Sequence, residues 1–296
     1  MNTATVGSPV RGILCMIAGT LVLTSQDAMS KWLLNYLHPG EIMGWRALMS
    51  VPFVLLLLKL EGDSLRTLRS PVLGQTILRG FLALVASILV ILSFQVLPLA
   101  DALAIIFISP LMITALSAII LKEHVGWRRW TATCAGFVGA LIIVGPSFET
   151  IGISALTPVG AALASALRDI STRVVSRHDS GPSVLFWTMA VGSLGGFATF
   201  PAMGASLPAP STWILLLVCA ILLTVAFRLS IAAYKLASGA IVAPFRYLAL
   251  VWAIVIGYVV WDDVPDTNMI VGSVIVSGAG LYIWWREYTL ERARLA

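Results

Sequence analysis

The stretch GQTILRGFLALVASILVILSFQV, Gly74 to Val96, decides the fold. Arg79 is its one charged residue. A helix needs about 20 residues to cross a hydrocarbon core of about 30 Å, and this run supplies them. The period-2 alternation of a barrel strand is absent, so the segment reads as a membrane-spanning helix.

Working outward, comparable apolar runs fall at 11–34, 40–60, 74–96, 100–121, 127–145, 153–174, 183–203, 212–233, 240–261 and 268–285, parted by short polar or Pro/Gly-rich punctuation. Only helices and closed barrels satisfy backbone polar groups in lipid, so the expectation is an all-α polytopic membrane protein with ten transmembrane helices. Composition agrees: 59% of the 296 residues are hydrophobic and 11% charged, and soluble domains carry about 25% charged residues. The first run is too long for a signal-peptide core and contains Asp27 and Lys31, so it reads as a retained span. Cys15, Cys134 and Cys219 lie far apart inside apolar runs and read as packing residues, with neither metal spacing nor a disulfide framework.

The arrangement of charge says more than the net +5. With the N-terminus inside, the inner segments receive Arg11; Lys59, Arg66 and Arg69; Lys122, Arg128 and Arg129; Arg168, Arg173 and Arg177; Lys235; and Arg286, Arg292 and Arg294. The outer segments receive no Lys or Arg, and the last of them carries Asp262, Asp263 and Asp266. That is the positive-inside pattern, and it predicts cytoplasmic N- and C-termini. A weak internal repeat accompanies it. Asp27-Ala-Met-Ser-Lys31 aligns with Asp169-Ile-Ser-Thr-Arg173 at an offset of 142, which also pairs Trp45 with Trp187. Five spans per copy is an odd number, so the expectation is two inverted five-helix repeats, 11–145 and 153–287.

Five basic residues remain inside spans: Lys31, Arg46, Arg79, Arg228 and Arg246. Each costs about 2.5–3.5 kcal/mol near a helix centre on insertion scales. Snorkelling to the headgroups is one explanation, strongest for Arg79 near the inner end of its span. A site role is the other, favoured for Arg46, Arg228 and Arg246, the last placed two turns into the ninth span beside Pro244. Asp27 and Lys31 stand one turn apart in the favourable acid-first order, and read either as a structural pair or as a coupling site. Asp169, beside Arg168 and Arg173, reads as a solvated helix-end charge or a second coupling candidate. Trp45, Phe107, Trp187, Tyr234, Phe245, Tyr247 and Trp252 lie in or near spans. Packing explains most such aromatics, and a cavity lined by some of them with a few cations suits a flat, polar-edged or anionic ligand. Ala132 with Gly136, Ala135 with Gly139, and Ser273 with Ser277 give the fifth and tenth spans close-packing faces. Pro110 and Pro244 are the expected kinks.

These residues carry a resemblance. Asp27-Ala-Met-Ser-Lys31-Trp, Gly44-Trp-Arg46-Ala, Ile77-Leu-Arg79-Gly, Pro110 followed by Lys122-Glu123, Ala243-Pro-Phe-Arg246-Tyr247-Leu and Asp263-Val-Pro-Asp266 resemble the drug/metabolite transporter superfamily, EamA type, over residues 11 to 287. The pattern looks most like a bacterial subgroup that includes riboflavin importers and S-adenosylmethionine carriers. Asp262-Asp263 stands where many members have a Glu. The resemblance implies a multi-pass carrier of the bacterial inner membrane with a central cavity, whose basic residues correspond to Arg46, Arg79 and Arg246. It leaves the substrate open.

The expectation is therefore a secondary transporter moving a small organic metabolite by alternating access, with uptake of riboflavin first. S-adenosylmethionine uptake and amino-acid or metabolite export are the alternatives. Arg46, Arg246, Arg228, Trp45, Tyr247 and Trp187 are the expected substrate residues, with Asp27, Lys31, Arg79 and Asp169 for coupling or gating. The partners are the cargo and the lipid bilayer, with no nucleic acid, and the protein is a monomer or homodimer. No cofactor, metal or catalytic residue is expected. His38, His124 and His178 lie in loops or at helix ends on opposite sides, and neither a Gly-rich phosphate loop nor HExxH occurs, which counts against an integral-membrane enzyme.

Overall fold

The computed structural model describes residues 9–60, 62, 64–120, 131, 134–135, 138–139, 142, 156–175, 178–200, 208–236, 245–246 and 248–295. Among them every regular element is helical. The α-helices are α1 (Pro9–Leu33), α2 (Pro39–Leu60), α3 (Leu73–Val96), α4 (Leu99–Ile106), α5 (Ser109–Ile120), α6 (Leu156–Val175), α7 (Gly181–Ala198), α8 (Pro210–Leu236), α9 (Leu248–Trp261) and α10 (Thr267–Leu295), with a 3₁₀ turn at Leu65–Leu68. Among the described residues four stretches are long and apolar enough to cross a membrane: Val10–Leu33, Pro39–Leu60, Leu73–Val96 and Pro210–Ser230.

The run 100–121 is not one helix. It breaks at Phe107 and Ile108 into α4 and α5, just ahead of Pro110. A proline has no N–H to give the carbonyl four residues back, so the chain turns there: Phe107 N–H bonds the Leu103 carbonyl and Ile108 N–H the Ile105 carbonyl. Arg246 also differs from expectation. With Phe245 it forms a short 3₁₀ turn ahead of α9, and its side chain is exposed. The helix itself begins at Leu248. At the other end α10 runs past the apolar stretch to Leu295, because the Glu, Arg and Leu residues there are good helix formers. The fifth span, Ala132, Gly136, Pro244 and Tyr247 lie outside the described residues, apart from isolated positions such as Gly139.

Helix ends follow capping rules. Glu41 accepts the His38 backbone N–H at 3.0 Å ahead of Pro39, Ser180 caps α7, and Asp266 accepts the Met269 N–H at 2.6 Å to start α10. Asp262 ends α9 with φ 54°, a left-handed conformation that Asp tolerates.

Contacts divide the chain into two compact units. One comprises Met1–Ala28, Pro98–Gly152 and Val225–Ala296, the other Met29–Leu97 and Ile153–Thr224. Each draws on both halves of the sequence. In the first, Met16 and Ala233 form a buried core with Cys15 and Phe245 against it, and α4 packs on α9 and α10. Gly139 faces α10, where an added Cβ would lie 2.8 Å from Ile275 Cγ2 and 3.0 Å from the Gly272 carbonyl. The close-packing face read around Gly139 is thus used. In the second unit α2 packs along α7, and α3 packs on both α6 and α7. Leu33, Leu37, Ile42, Ile91, Leu216 and Cys219 form its apolar core.

Outside, the surface is aliphatic: Leu194 and Val259 are each 73% exposed. Inside, Thr20, Thr24, Gln26, Ser30, Arg46 and Ser50 are buried. A water-soluble protein would reverse this pattern, and lipid as solvent explains it. Many hydroxyls return their proton to their own helix, as Thr24 does to the Thr20 carbonyl and Ser93 to that of Leu89.

Candidate functional site

Arg46 lies in the second turn of α2 and is 5% exposed. Its Nη1 donates to Ser30 Oγ of α1 at 3.2 Å and its Nη2 meets Met43 Sδ at 3.2 Å. Its carbonyl accepts the Ser50 hydroxyl at 2.8 Å. The guanidinium is therefore turned into the protein. Beside it on the chain, the Trp45 ring stands edge-on to Phe197 at 4.8 Å and to Trp213 at 4.7 Å. Such edge-to-face pairs add about 0.5–1.5 kcal/mol beyond burial. Among the described residues the buried Trp45 indole N–H meets no acceptor.

Arg79, which snorkelling would have sent to the headgroups, points inward as well. Its Nε donates to Thr172 Oγ1 of α6 at 3.0 Å, and its Nη1 to Thr188 Oγ1 of α7. Thr172 gives its own proton to the Arg168 carbonyl at 2.7 Å, and Thr188 to that of Val184 at 2.5 Å. Each hydroxyl thus presents a lone pair to the guanidinium. The offset of 142 that relates Asp27 to Asp169 carries Ser30 and Arg46 onto Thr172 and Thr188. The first pair of positions holds a serine and its own arginine, and the second holds two threonines that receive an arginine from α3. Next to this cluster Arg168 Nε bonds Asp169 Oδ1 at 2.8 Å, and both are half-buried.

Trp187 donates its indole N–H to the Leu68 carbonyl at 3.0 Å, and Ser183 Oγ reaches the same oxygen at 3.4 Å. The 3₁₀ turn is thereby clamped to α7. Trp187→Phe removes the stronger of these bonds and should lower stability by about 1 kcal/mol, read as a small fall in Tm with helix content unchanged. An unchanged Tm would show that the clamp contributes nothing.

Asp179 was not singled out from the sequence. It lies between α6 and α7, is 8% exposed, and accepts the Thr76 hydroxyl at 2.7 Å through Oδ2. Its Oδ1 is buried with no hydrogen-bond partner among the described residues.

The remaining candidates lie on α1, on α8 and ahead of α9. Asp27 and Lys31 are half-buried one turn apart on α1, Lys31 in its last turn. Arg228 is exposed on α8 and Arg246 is exposed ahead of α9. Arg46, Arg79, Asp169, Trp45 and Trp187 belong to the second unit, and Asp27, Arg228 and Arg246 to the first. Among the described residues no three His, Cys, Asp or Glu side chains gather as a metal site.

Lipid-facing aliphatics outside, with guanidinium–hydroxyl bonds between apolar helices inside, define a multi-pass helical membrane protein. The sequence pattern of the EamA-like transporter family matches residues 10–145 and 151–285, and the chain belongs to that family. It is similar to an S-adenosylmethionine uptake transporter of Rickettsia prowazekii (strain Madrid E), 28% identical over 281 residues, 93% of this chain and 92% of the relative. A riboflavin transporter of Vibrio cholerae serotype O1 is 31% identical over 234 residues, 77% of this chain and 78% of the relative. A pseudopaline exporter of Pseudomonas aeruginosa (strain UCBPP-PA14) is 25% identical, covering 90% and 93%. A solved crystal structure superposes with a TM-score of 0.69 at 14% identity, over 96% of this chain and 100% of the other, and shares the fold. The protein is a membrane transport protein of the drug/metabolite transporter superfamily, EamA type.

Proposed function

We propose that this transporter is a secondary carrier of the bacterial inner membrane that takes up a small organic metabolite by alternating access, with riboflavin as the first candidate cargo. In this reading ten spans form two inverted repeats, 11–145 and 153–287, with both termini cytoplasmic. Arg46, Arg228, Arg246, Trp45, Trp187 and Tyr247 meet cargo, while Asp27, Lys31, Arg79 and Asp169 serve coupling or gating. The observation that carries it is the buried guanidinium of Arg46 inside an apolar helix. A scaffold gains nothing from a cation that costs about 2.5–3.5 kcal/mol to insert. A carrier gains a fixed donor for the oxygen edge of a solute. The Trp45 indole N–H, on the neighbouring residue, is a second such donor. Relatives named for riboflavin transport support the same reading.

S-adenosylmethionine is the second cargo, supported by relatives that carry its name. Expression in a riboflavin-requiring strain is expected to restore growth at limiting riboflavin. Riboflavin is likewise expected to raise the Tm of the purified protein, while S-adenosylmethionine and amino acids leave it unmoved, since binding to the folded state stabilises by mass action. Neither rescue nor a Tm shift would remove riboflavin, and a shift with S-adenosylmethionine alone would put the second cargo in its place.

A further inference from the structure

We propose that Asp179 is a proton-binding acid of this carrier, loaded and unloaded through a hydroxyl relay of Ser70 and Thr76. The described acids Glu41, Asp169, Asp27 and Asp179 differ in company, and Glu41 accepts the His38 backbone N–H at 3.0 Å. Asp169 is paired with Arg168 at 2.8 Å. Asp27 has an interaction partner of its own. Asp179 is buried, at 8% exposure, and one of its carboxylate oxygens meets no donor among the described residues. A carboxylate offers about four lone-pair sites, and an unfilled one in a buried place calls for an explanation. Protonation on the other oxygen supplies one, because a neutral carboxyl leaves its bare oxygen far less costly to bury than an ionised one.

The surrounding oxygens suit a proton better than a metal cation. Thr76 Oγ1 lies 2.7 Å from Asp179 Oδ2 and 3.1 Å from Ser70 Oγ, and Ser70 Oγ accepts the Val72 N–H at 3.1 Å. Hard metal cations such as calcium and magnesium gather about six or more oxygens, and this cluster gathers far fewer. A proton needs one.

The bonding accommodates both protonation states with no heavy atom moving. When Asp179 is ionised, Thr76 donates to it. When Asp179 carries the proton on Oδ2, it donates to Thr76, whose hydroxyl then turns to the Val72 carbonyl, already 3.3 Å away. Loading runs from water to Ser70 Oγ, from Ser70 to Thr76 Oγ1, and from Thr76 to Asp179 Oδ2. Each hydroxyl takes one proton and gives one, and the carboxylate gains one. Ser70 is half-buried between exposed Arg69 and Pro71, so the relay ends at solvent, while Thr76 is fully buried.

Among the described residues the charged groups around the acid are few, and Arg177, two positions before it, lies outside them. On α3 Arg79 stands one turn beyond Thr76 but is engaged with Thr172 and Thr188. Arg66 in the 3₁₀ turn and Arg69 just after it are both exposed, and His178 beside the acid is exposed too. On α6, which also carries Arg173, Arg168 and Asp169 bond each other, and α7 contributes no titratable side chain. Protonation changes what the site does mechanically. The Thr76–Asp179 bond ties α3 to the start of α7, and a hydrogen bond to a carboxylate is about twice as strong as one between neutral groups. Loading the proton therefore loosens that tie.

The relay stands on the geometry alone, and its use in coupling rests on the carrier reading, so two measurements keep them apart. First, the full-length protein in lipid vesicles is compared between acid and alkaline pH by infrared difference spectroscopy, with no cargo present. A carboxyl C=O band is expected that Asp179→Asn removes and Asp169→Asn keeps. Retention of every carboxyl band in Asp179→Asn overturns the proposal. Should that variant not fold, Thr76→Val carries the same test, because the band must shift when the carboxyl loses its partner, and an unmoved band overturns it. Second, vesicles with an imposed pH gradient are given riboflavin as the probe. Asp179→Asn is expected to lose gradient-driven accumulation and to keep counterflow exchange, with Asp179→Glu recovering part of the accumulation. Wild-type accumulation by Asp179→Asn overturns the coupling role. If the wild-type protein does not move riboflavin, the cargo reading fails, and the infrared band decides the acid.

Discussion

Gly196→Ala is expected to leave little folded protein in the membrane. At this position of α7 an added Cβ would lie 2.6 Å from Gly44 Cα and 2.7 Å from the Gly40 carbonyl oxygen, and closer still to the Gly44 amide nitrogen. All three atoms are backbone, so no side chain can swing aside. The two helices would have to part along a contact that also seats Gly40 against Thr199 and Gly44 against Phe197. Overpacking costs about 1–3 kcal/mol where neighbours can yield, and this site stands at or beyond the top of that range. In lipid the penalty is felt fully, because helix association there depends on close packing of small residues. Membrane abundance and Tm in detergent check it, with Gly74→Ala as the control, since a Cβ at Gly74 meets nothing within 4 Å. Gly196→Ala at wild-type abundance and Tm would show that the crossing is not held by that contact.

This crossing also marks the limit of what the sequence can tell. The apolar runs were legible because insertion in lipid is a local property of about 20 residues. The break ahead of Pro110 was legible because a missing N–H is felt within one turn. The face at Gly139 was legible from its spacing, although its partner was not. Gly40, Gly44 and Gly196 matter only because α2 crosses α7 there, and nothing local to either helix says so. The cost of Arg46 and Arg79 announces that each needs a partner, but Thr172 and Thr188 lie far from Arg79 along the chain. Asp179 was not singled out, because nothing local to it marks it as buried. Its bond to Thr76 joins residues far apart along the chain, which is a tertiary fact. Arg246 was placed two turns inside a helix because the apolar run begins at 240, whereas α9 begins at Leu248.

Arg46→Ala and Arg246→Ala are each expected to abolish uptake while leaving the protein in the membrane, for different physical reasons. Arg46 is buried, so its truncation leaves a cavity, and large-to-small core changes cost about 2–5 kcal/mol. The same truncation removes a cation whose insertion costs about 2.5–3.5 kcal/mol. The two terms oppose, and Ser30 and Met43 lose a partner without being left charged. Abundance therefore stays near wild type. Arg46→Lys separates charge from shape: an ammonium keeps the charge but not the planar fork that spans Ser30 and Met43, so uptake should stay low. Arg246 is exposed ahead of α9, so its removal opens no cavity and should not move Tm. Loss of uptake there would place a cargo contact on the first unit, as loss at Arg46 would on the second. Uptake of labelled riboflavin, normalised to membrane abundance by immunoblot, is the measurement. Wild-type rates in both variants would mean that these guanidinium groups do not handle cargo, and that Arg46 is kept for its bonds within the protein, those to Ser30 and Met43 among them.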